Sequence, residues 1–456
     1  MAGGMGWGIR GQYGHETGAM MAGLLVGLTL VLHFCSRWTP LGAVRAAAMM
    51  TVAIGFGGSK TYGQTVGLTH DPPLVGNWAA LSWGLLGLAI KGGIWIGFAG
   101  AFLGMGLSGI RYRPVEMLAL FAGMIGLLAL GVWLLNQPFD PEKKLLPTIY
   151  FSDDWRWEPD ALLKPRRERW GGLLFALAGL VVYLTWIRKD RLASRLALWA
   201  LLGGALGFPL GQCIQAFHAW NLELFQSGVL ARTNGVINWW NMMETTFGAT
   251  FGSVLAYGVW RNRHHIREPA PEAPPTNWVR VMEGGLLFLY VLLLICWEFL
   301  DVPFLNVLAE PGISMGLVPL VGIVLGRWWP FAVILPLTLI PIAGKTVRQL
   351  CYKEQVMGPA MGWIIYAVVP LAVTLLTMVW MIRRSTSGFA TDRFLRVALV
   401  VNVWLYFGLN FAFFHYPWPW QMWTVRTPNA LIYLACASGL SWFVTLVAVK
   451  RLRIEN

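Results

Sequence analysis

The chain has 456 residues, of which 56% are apolar and 12% charged, and its mean hydropathy is +0.56. So little charge cannot cover a soluble protein of this length, and apolar runs of about 20 residues recur from end to end, so the sequence reads as an all-α polytopic integral membrane protein whose first partner is the lipid bilayer. The net charge of +13 sits in short basic clusters between those runs, which is how topology is encoded, and argues against nucleic acid as a partner.

At the start of the chain, Gly3-Gly4-Met5-Gly6-Trp7-Gly8 lacks the basic region and apolar core of a secretory signal. Gly3 to Gln12 recurs at Gly203 to Gln212 as GGxxxxxxGQ, so this segment is either a half-helix dipping into the membrane or the end of a span that begins upstream. It leads into Arg10-Gly11-Gln12-Tyr13-Gly14-His15-Glu16, where hydrogen-bonding and charged side chains alternate with glycines that let backbones approach closely. Arg10 and Gln12 are candidate solute ligands. Glu16 and His15 are candidate carriers of a coupling cation or proton.

About thirteen spans follow, roughly 16–36, 42–64, 76–108, 114–135, 170–188, 193–217, 236–260, 278–302, 311–327, 329–345, 358–382, 395–416 and 428–449. Span 76–108 is long for a simple crossing, which predicts tilt or a break at its glycines. The span before it closes on Lys60-Thr61-Tyr62-Gly63-Gln64, and the following turn holds His70 and Asp71. A related signature, Lys345-Thr346-Val347-Arg348-Gln349, closes the run at 329–345. Lysine with an amide four residues on supplies a cation and a donor for a carboxylate, phosphate or polyol, so Lys60, Gln64, Lys345, Arg348 and Gln349 join the candidate solute ligands. Leu339 stands where a nucleotide-binding loop requires glycine, which removes that reading of Gly344-Lys345-Thr346.

Residues 42–100 align with 195–252. In each copy a helix closes on Gly-Gln (Gly63-Gln64, Gly211-Gln212), a histidine follows (His70, His218), Asn-Trp opens the return helix (Asn77-Trp78, Asn238-Trp239), and a charged residue comes before small ones (Lys91, Glu244). Internal parallel repeats of this kind are common in transporters. Gln212 and Asn238 are thereby candidate solute ligands, and Glu244, His70 and Asp71 candidate coupling groups. The alignment also predicts that Lys91 pairs with an acidic residue of a matched copy.

The connection 136–170, with Asp153-Asp154-Trp155-Arg156-Trp157, is expected to lie on the membrane surface as an amphipathic cap, and its paired aspartates suit a base in a membrane enzyme. The Pro-rich stretch 264–277 reads as a linker between residues 1–263, an N-terminal helix plus a first six-helix half, and residues 278–456, a second half. Near the end, Phe413-Phe414-His415-Tyr416-Pro417-Trp418-Pro419-Trp420 runs into Arg426. Aromatic faces beside charged groups suit sugar rings, which makes His415, Trp420 and Arg426 the last candidate ligands.

The cysteines Cys35, Cys213, Cys296, Cys351 and Cys436 are scattered and the histidines lack metal-ligand spacing, so no metal and no cofactor is expected. Basic residues gather in alternate connections, which predicts a cytoplasmic C-terminus in a bacterial inner membrane. The unusual polar residues then fall on the outer half. The expected function is a secondary transporter of a small polar solute, carbohydrate-like or anionic. The alternatives are a membrane glycosyl- or acyltransferase taking a lipid-linked sugar or other lipid-linked donor at the outer leaflet, and a non-catalytic subunit of a membrane assembly.

Overall fold

The computed structural model describes residues 1–14, 17–58, 63–270, 277–299, 313–385, 391–421 and 423–455, with some side chains inside these ranges, Gln64 among them, not described. The described residues are helical, apart from turns and one isolated bridge between Asp140 and Leu145. The helices are α1 (Ala2–Arg10), α2 (Thr17–Phe34), α3 (Pro40–Gly57), α4 (Trp78–Leu107), α5 (Pro114–Leu135), α6 (Trp170–Val182, prolonged by a wider turn over Tyr183–Ile187), α7 (Arg191–Trp220) and α8 (Trp239–Arg261). The chain continues with α9 (Asn277–Phe299), α10 (Ile313–Val324), α11 (Trp329–Val347, prolonged over Arg348–Lys353), α12 (Val369–Ser385), α13 (Thr391–Phe413) and α14 (Thr427–Glu455).

Helix starts follow from local chemistry. The Thr39 hydroxyl accepts from the Gly42 amide at 3.3 Å with Pro40 leading α3, Asn77 accepts from Ala80 at 3.1 Å to open α4, and Asp190 accepts from Ala193 at 2.9 Å to open α7. Each satisfies an amide that has no partner within its own helix. Helix α4 runs unbroken for 30 residues, so its glycines do not interrupt it as the sequence suggested. They serve contact instead. A Cβ on Gly204 of α7 would sit 2.1 Å from the Gly92 carbonyl oxygen of α4, and one on Gly248 of α8 would sit 2.2 Å from that of Gly3 in α1. Where apolar side chains gain nothing by leaving lipid, backbone-to-backbone packing of this kind supplies the dispersion contact that holds helices together.

Among the described residues, nine helices are long and apolar enough to cross a membrane: α2 to α5, α6 with its prolongation, α7, the run from Pro359 through α12, α13 and α14. The described residues do not confirm the expected count of about thirteen crossings. Helix α10 has only 12 residues, and α8 carries Asn241, Glu244, Thr245 and Thr246 in its N-terminal half. The apolar window of α3 is 89% buried and that of α5 17%, so α1 to α4 with α7 and α8 form the centre and α5 lies at the rim. Helices beyond the Pro-rich stretch pack directly on this centre: α10 on α3, α11 and α13 on α2, and α14 on α1.

The connections divide between two ends. At one end the Tyr112 hydroxyl donates to Asp190 (2.6 Å), Arg188 to the Arg111 carbonyl (2.5 Å), the Arg267 amide to the Leu107 carbonyl (2.9 Å) and the Thr39 amide to Glu268 (2.5 Å). The basic connections therefore meet one another. The connection 136–170 and the segments around Gln12, His70, Trp220 and Arg426 lie at the other end.

Candidate functional site

Helix α1 is short because Gly11 and Gly14 follow it, and Gly14 adopts φ +105°, which turns the chain back towards α2. Gly6 of α1 rests on Ala22 of α2, so the two form a tight antiparallel hairpin packed against α3, α8, α13 and α14. The turn carries Arg10 into the interior, where it is 1% exposed. A buried guanidinium needs both a counter-charge and donor partners. Its Nη2 donates to Glu244 Oε1 at 2.9 Å, and its Cζ lies 4.6 Å from the centre of the Trp7 ring and 5.3 Å from that of Trp95, close enough for cation–π attraction. Glu244 Oε2 occupies the space above Gly11, where a Cβ would approach it to 1.9 Å.

The same end of α8 grips α1 a second time, because Asn241 Nδ2 donates to the Gly8 carbonyl at 3.1 Å. Lys345 Nζ reaches from α11 to the Gln12 carbonyl at 3.3 Å. Arg10 and Lys345 thus lie at the C-terminal end of α1, whose carbonyls favour cations.

Beside this grip is a small pocket of about 10 Å³, room for about one water molecule, walled by α8, α13 and the start of α14, with Asn241, Asn410, Phe414, Arg426, Asn429 and Tyr433 among its lining. Arg426 lies flat on Phe414, 4.2 Å from the ring centre. Asn410 Nδ2 donates to the Tyr13 hydroxyl, and the Tyr433 and Thr245 hydroxyls face each other, both at 3.3 Å. Several buried polar atoms here have no protein partner: Asn241 Oδ1, Asn429 Oδ1, Arg426 Nη1 and, behind them, Glu244 Oε2. An unsatisfied buried polar group costs about 1–3 kcal/mol. Several around one pocket form a template for a polar occupant.

A second polar cluster lies under the connection 136–170. Lys91 on α4 pairs with Glu168, whose carboxylate also accepts from the Ser152 hydroxyl (2.8 Å) and the Phe151 amide (3.1 Å), while Lys91 donates to the Thr65 hydroxyl at 2.6 Å. The connection is therefore pinned into the protein and does not simply lie on the membrane surface, and Lys91 pairs with neither Glu244 nor another residue of a matched copy. Asp71 and Asp153 converge on Gly67, where a Cβ would meet Asp71 Oδ2 at 2.5 Å and Asp153 Cγ at 3.3 Å. Asp153 Oδ1 and Glu158 Oε1 are buried without partners. Burial, reinforced by Asp71 and Glu158, pushes the Asp153 carboxyl up to about 7. Asp154 is held differently, by a bidentate ion pair with Arg156.

The remaining sequence candidates are dispersed. Asn238 caps α8, its Oδ1 accepting from the Asn241 amide at 2.9 Å, and Asn77 does the same for α4, so the matched Asn-Trp pairs share a capping role. Gln212 donates to the Thr69 hydroxyl at 2.7 Å, away from Lys345. His70 bonds the Val66 carbonyl at 2.8 Å and lies 3.6 Å from Asp71. Gln349 donates to Glu354 at 2.7 Å and His415 pairs with the same carboxylate on an exposed rim, where Arg348 is also exposed. Trp420 is 72% exposed and stacks on Trp418. His15, Glu16, Lys60 and the Gln64 side chain lie outside the described residues.

The structure thus joins Arg10 to Glu244 and places Arg426 near them, and it adds Asn241, Asn410, Tyr433, Trp7 and Trp95, which sequence reasoning passed over. Asn241, one helical turn before Glu244, and Asn410, inside an apolar run, carried the available signal. Among the described residues no group of three or more His, Cys, Asp or Glu side chains is arranged to hold a metal ion. Comparison with protein families, with curated proteins and with solved structures finds no match to this chain.

Proposed function

We propose that this protein is a secondary transporter of a small polar solute, carbohydrate-like or anionic, which enters the pocket between α8, α13 and α14. The observation that carries the reading is the set of partnerless buried atoms of Asn241, Asn429 and Arg426 around that one pocket. The buried Arg10–Glu244 pair immediately behind them supports a coupling role for Glu244, because an intramembrane carboxylate beside a solute pocket responds to solute, proton and cation together. A helix broken at a charged turn, as α1 and α2 are at Arg10 to Gly14, is also the device by which transporters present backbone polar groups to a cargo. In this reading the chain crosses a bacterial inner membrane about thirteen times as repeated halves. The pocket opens outward and the C-terminus is cytoplasmic, following the basic connections.

The test is flux. In proteoliposomes with an imposed proton or sodium gradient, uphill uptake of one member of a panel of sugars, sugar acids and organic anions is expected, with loss of uptake in Arg426→Ala. No gradient-driven flux of any member would remove the proposal.

A membrane transferase is the second reading, favoured by the buried Asp153 carboxyl, whose Oδ1 has no partner and which burial lifts to about 7, as a general base requires. It predicts donor turnover that Asp153→Asn abolishes.

A further inference from the structure

We infer that an anionic phospholipid docks by its phosphate on the arginines where α7 begins and α8 ends, with its acyl chains lying along α7. This rests on the chain crossing a membrane and is independent of the solute pocket.

The charges come first. Helix α7 carries Arg191 and Arg195 one turn apart, and the turn after α8 brings Arg263, His264 and His265 to the same end. Arg195 Nη1 donates to Asn262 Oδ1 at 3.1 Å and meets His265 Nε2 at 3.2 Å, which joins the two helix ends. Burial, with His264, Arg195, Arg191 and Arg267 acting on it, pushes the His265 imidazole below its ordinary value, so the ring accepts from Arg195 in place of carrying a charge. Arg191, Arg195 and Arg267 are exposed, and among the described residues none of them forms an ion pair. The nearby acidic groups are engaged elsewhere: Asp190 with the Tyr112 hydroxyl and the Ala193 amide, Glu116 with Arg188, and Glu268 with the Thr39 amide. Like charges gathered in this way repel one another, and a phosphate that meets several guanidinium groups at once relieves the repulsion.

The surface beside the arginines says which kind of phosphate. Beyond Arg195 on α7, Leu198, Leu202, Leu206 and Leu210 are exposed at intervals of four residues, a stripe that continues from the arginines along a helix long and apolar enough to cross the membrane. Aromatic rings mark the boundary between the two. Trp199 lies on Gly258 of α8, where a Cβ would approach its ring to 2.5 Å. Tyr257 stands 5.3 Å from Trp199 and 5.7 Å from Trp260, whose ring holds the Arg263 guanidinium at 5.0 Å. Tryptophan and tyrosine in such positions sit at the headgroup level of a bilayer. The arginines therefore lie at phosphate depth with an apolar track leading away from them. A soluble anion or an acidic protein segment uses only the first part of this surface, and a phospholipid uses both. A zwitterionic headgroup brings its own cation into the cluster, whereas a glycerol headgroup leaves the phosphate charge undiminished.

Three probes separate the parts: phosphatidylglycerol, phosphatidylcholine with the same acyl chains, and inorganic phosphate. With the purified full chain in a neutral detergent, bound lipid is counted by native mass spectrometry across a lipid titration. Phosphatidylglycerol is expected to bind at least about tenfold more tightly than phosphatidylcholine, and Arg191→Gln with Arg195→Gln to reduce that preference to about twofold or less. Arg37→Gln with Arg113→Gln removes the same charge from other exposed positions at this end of the molecule and is expected to leave the preference in place. Melting temperatures in the same detergent identify variants that fail to fold. The Arg191 side chain is exposed, so Arg191→Glu alone then carries the comparison, with an expected loss of at least about fivefold. Equal affinity for the two lipids, a preference indifferent to Arg191 and Arg195, or one lost as fully in the Arg37 and Arg113 variant would overturn the inference. Displacement of phosphatidylglycerol by an equimolar amount of inorganic phosphate would do so too, because the surface would then be a site for a soluble anion.

Discussion

Arg10 donates to Glu244 across 234 residues of sequence, in a setting where both side chains are 1% exposed. This contact ties the turn after α1 to the N-terminal half of α8. Removing one partner takes a counter-charge from a buried group, a change that costs up to about 3–5 kcal/mol. Arg10→Met and Glu244→Ala are each expected to lower the melting temperature in detergent, and the double variant to recover part of the loss. Strictly additive losses would show that the pair is not the contact that matters. In transport, Glu244→Gln is expected to abolish uphill uptake while leaving solute binding measurable, since Arg426 and the asparagines stay in place.

Lys91 and Glu168 make the equivalent tie between α4 and the long connection. Glu168→Ala is expected to release residues 150–168, seen as faster amide hydrogen exchange there than in α4. Its cost, again about 3–5 kcal/mol, falls on the connection first because Ser152 and Phe151 lose the same acceptor. Unchanged exchange in 150–168 would mean that Trp83 and Tyr150 alone suffice to hold it.

Asp153 gives the connection a pH dependence of defined sign. Its carboxyl rises from the ordinary 3.8 to about 7 on folding, so the folded state holds this proton more tightly than the unfolded chain does. Its contribution is most favourable below 3.8 and is lost as pH climbs towards 7. Asp153→Asn is expected to flatten this part of the stability profile and to raise the melting temperature at alkaline pH. A profile as steep in the variant as in the parent would assign the slope to another group.

Sidedness is accessible to labelling in a cysteine-free background. Leu162→Cys, on the exposed part of the connection 136–170, is expected to react with an impermeant maleimide in intact cells, whereas Ala270→Cys reacts only after lysis. Reaction at 270 in intact cells would invert the topology.

Much of the helical layout was legible because it depends on composition and length alone: most predicted apolar runs coincide with a helix that differs by a few residues at its ends, although the run 42–64 corresponds to a helix ending at Gly57. The functional pairings were not, because they join residues far apart in sequence. Lys91 sat visibly in an apolar run, which announces that a partner exists, yet nothing local points to Glu168, hidden among the basic residues Arg166, Arg167 and Arg169. Asn238 was misread for the opposite reason. A conspicuous amide beside tryptophan looked like a ligand, when its position just ahead of an apolar helix identifies a cap. Arg10 and Arg426 stood out in the sequence because charges next to glycine and aromatic clusters have few structural uses, whereas Asn410 carries no charge and looks ordinary in a helix.

The glycine contacts described above bear on how such a protein can move. Where the backbones of α4 and α7, and of α1 and α8, touch with no side chain between them, sliding one helix along its neighbour would drive carbonyl groups into Cα atoms, so these helices turn together as one block. No such backbone contact ties that block to α13 or α14 among the glycines described, so under the proposed function the seam for motion would run between them. The pocket lies on this seam, with Asn241 on the block and Asn410, Arg426 and Asn429 on the other side, so under the proposed transport function a bound solute would bridge the two parts and its departure would unlatch them.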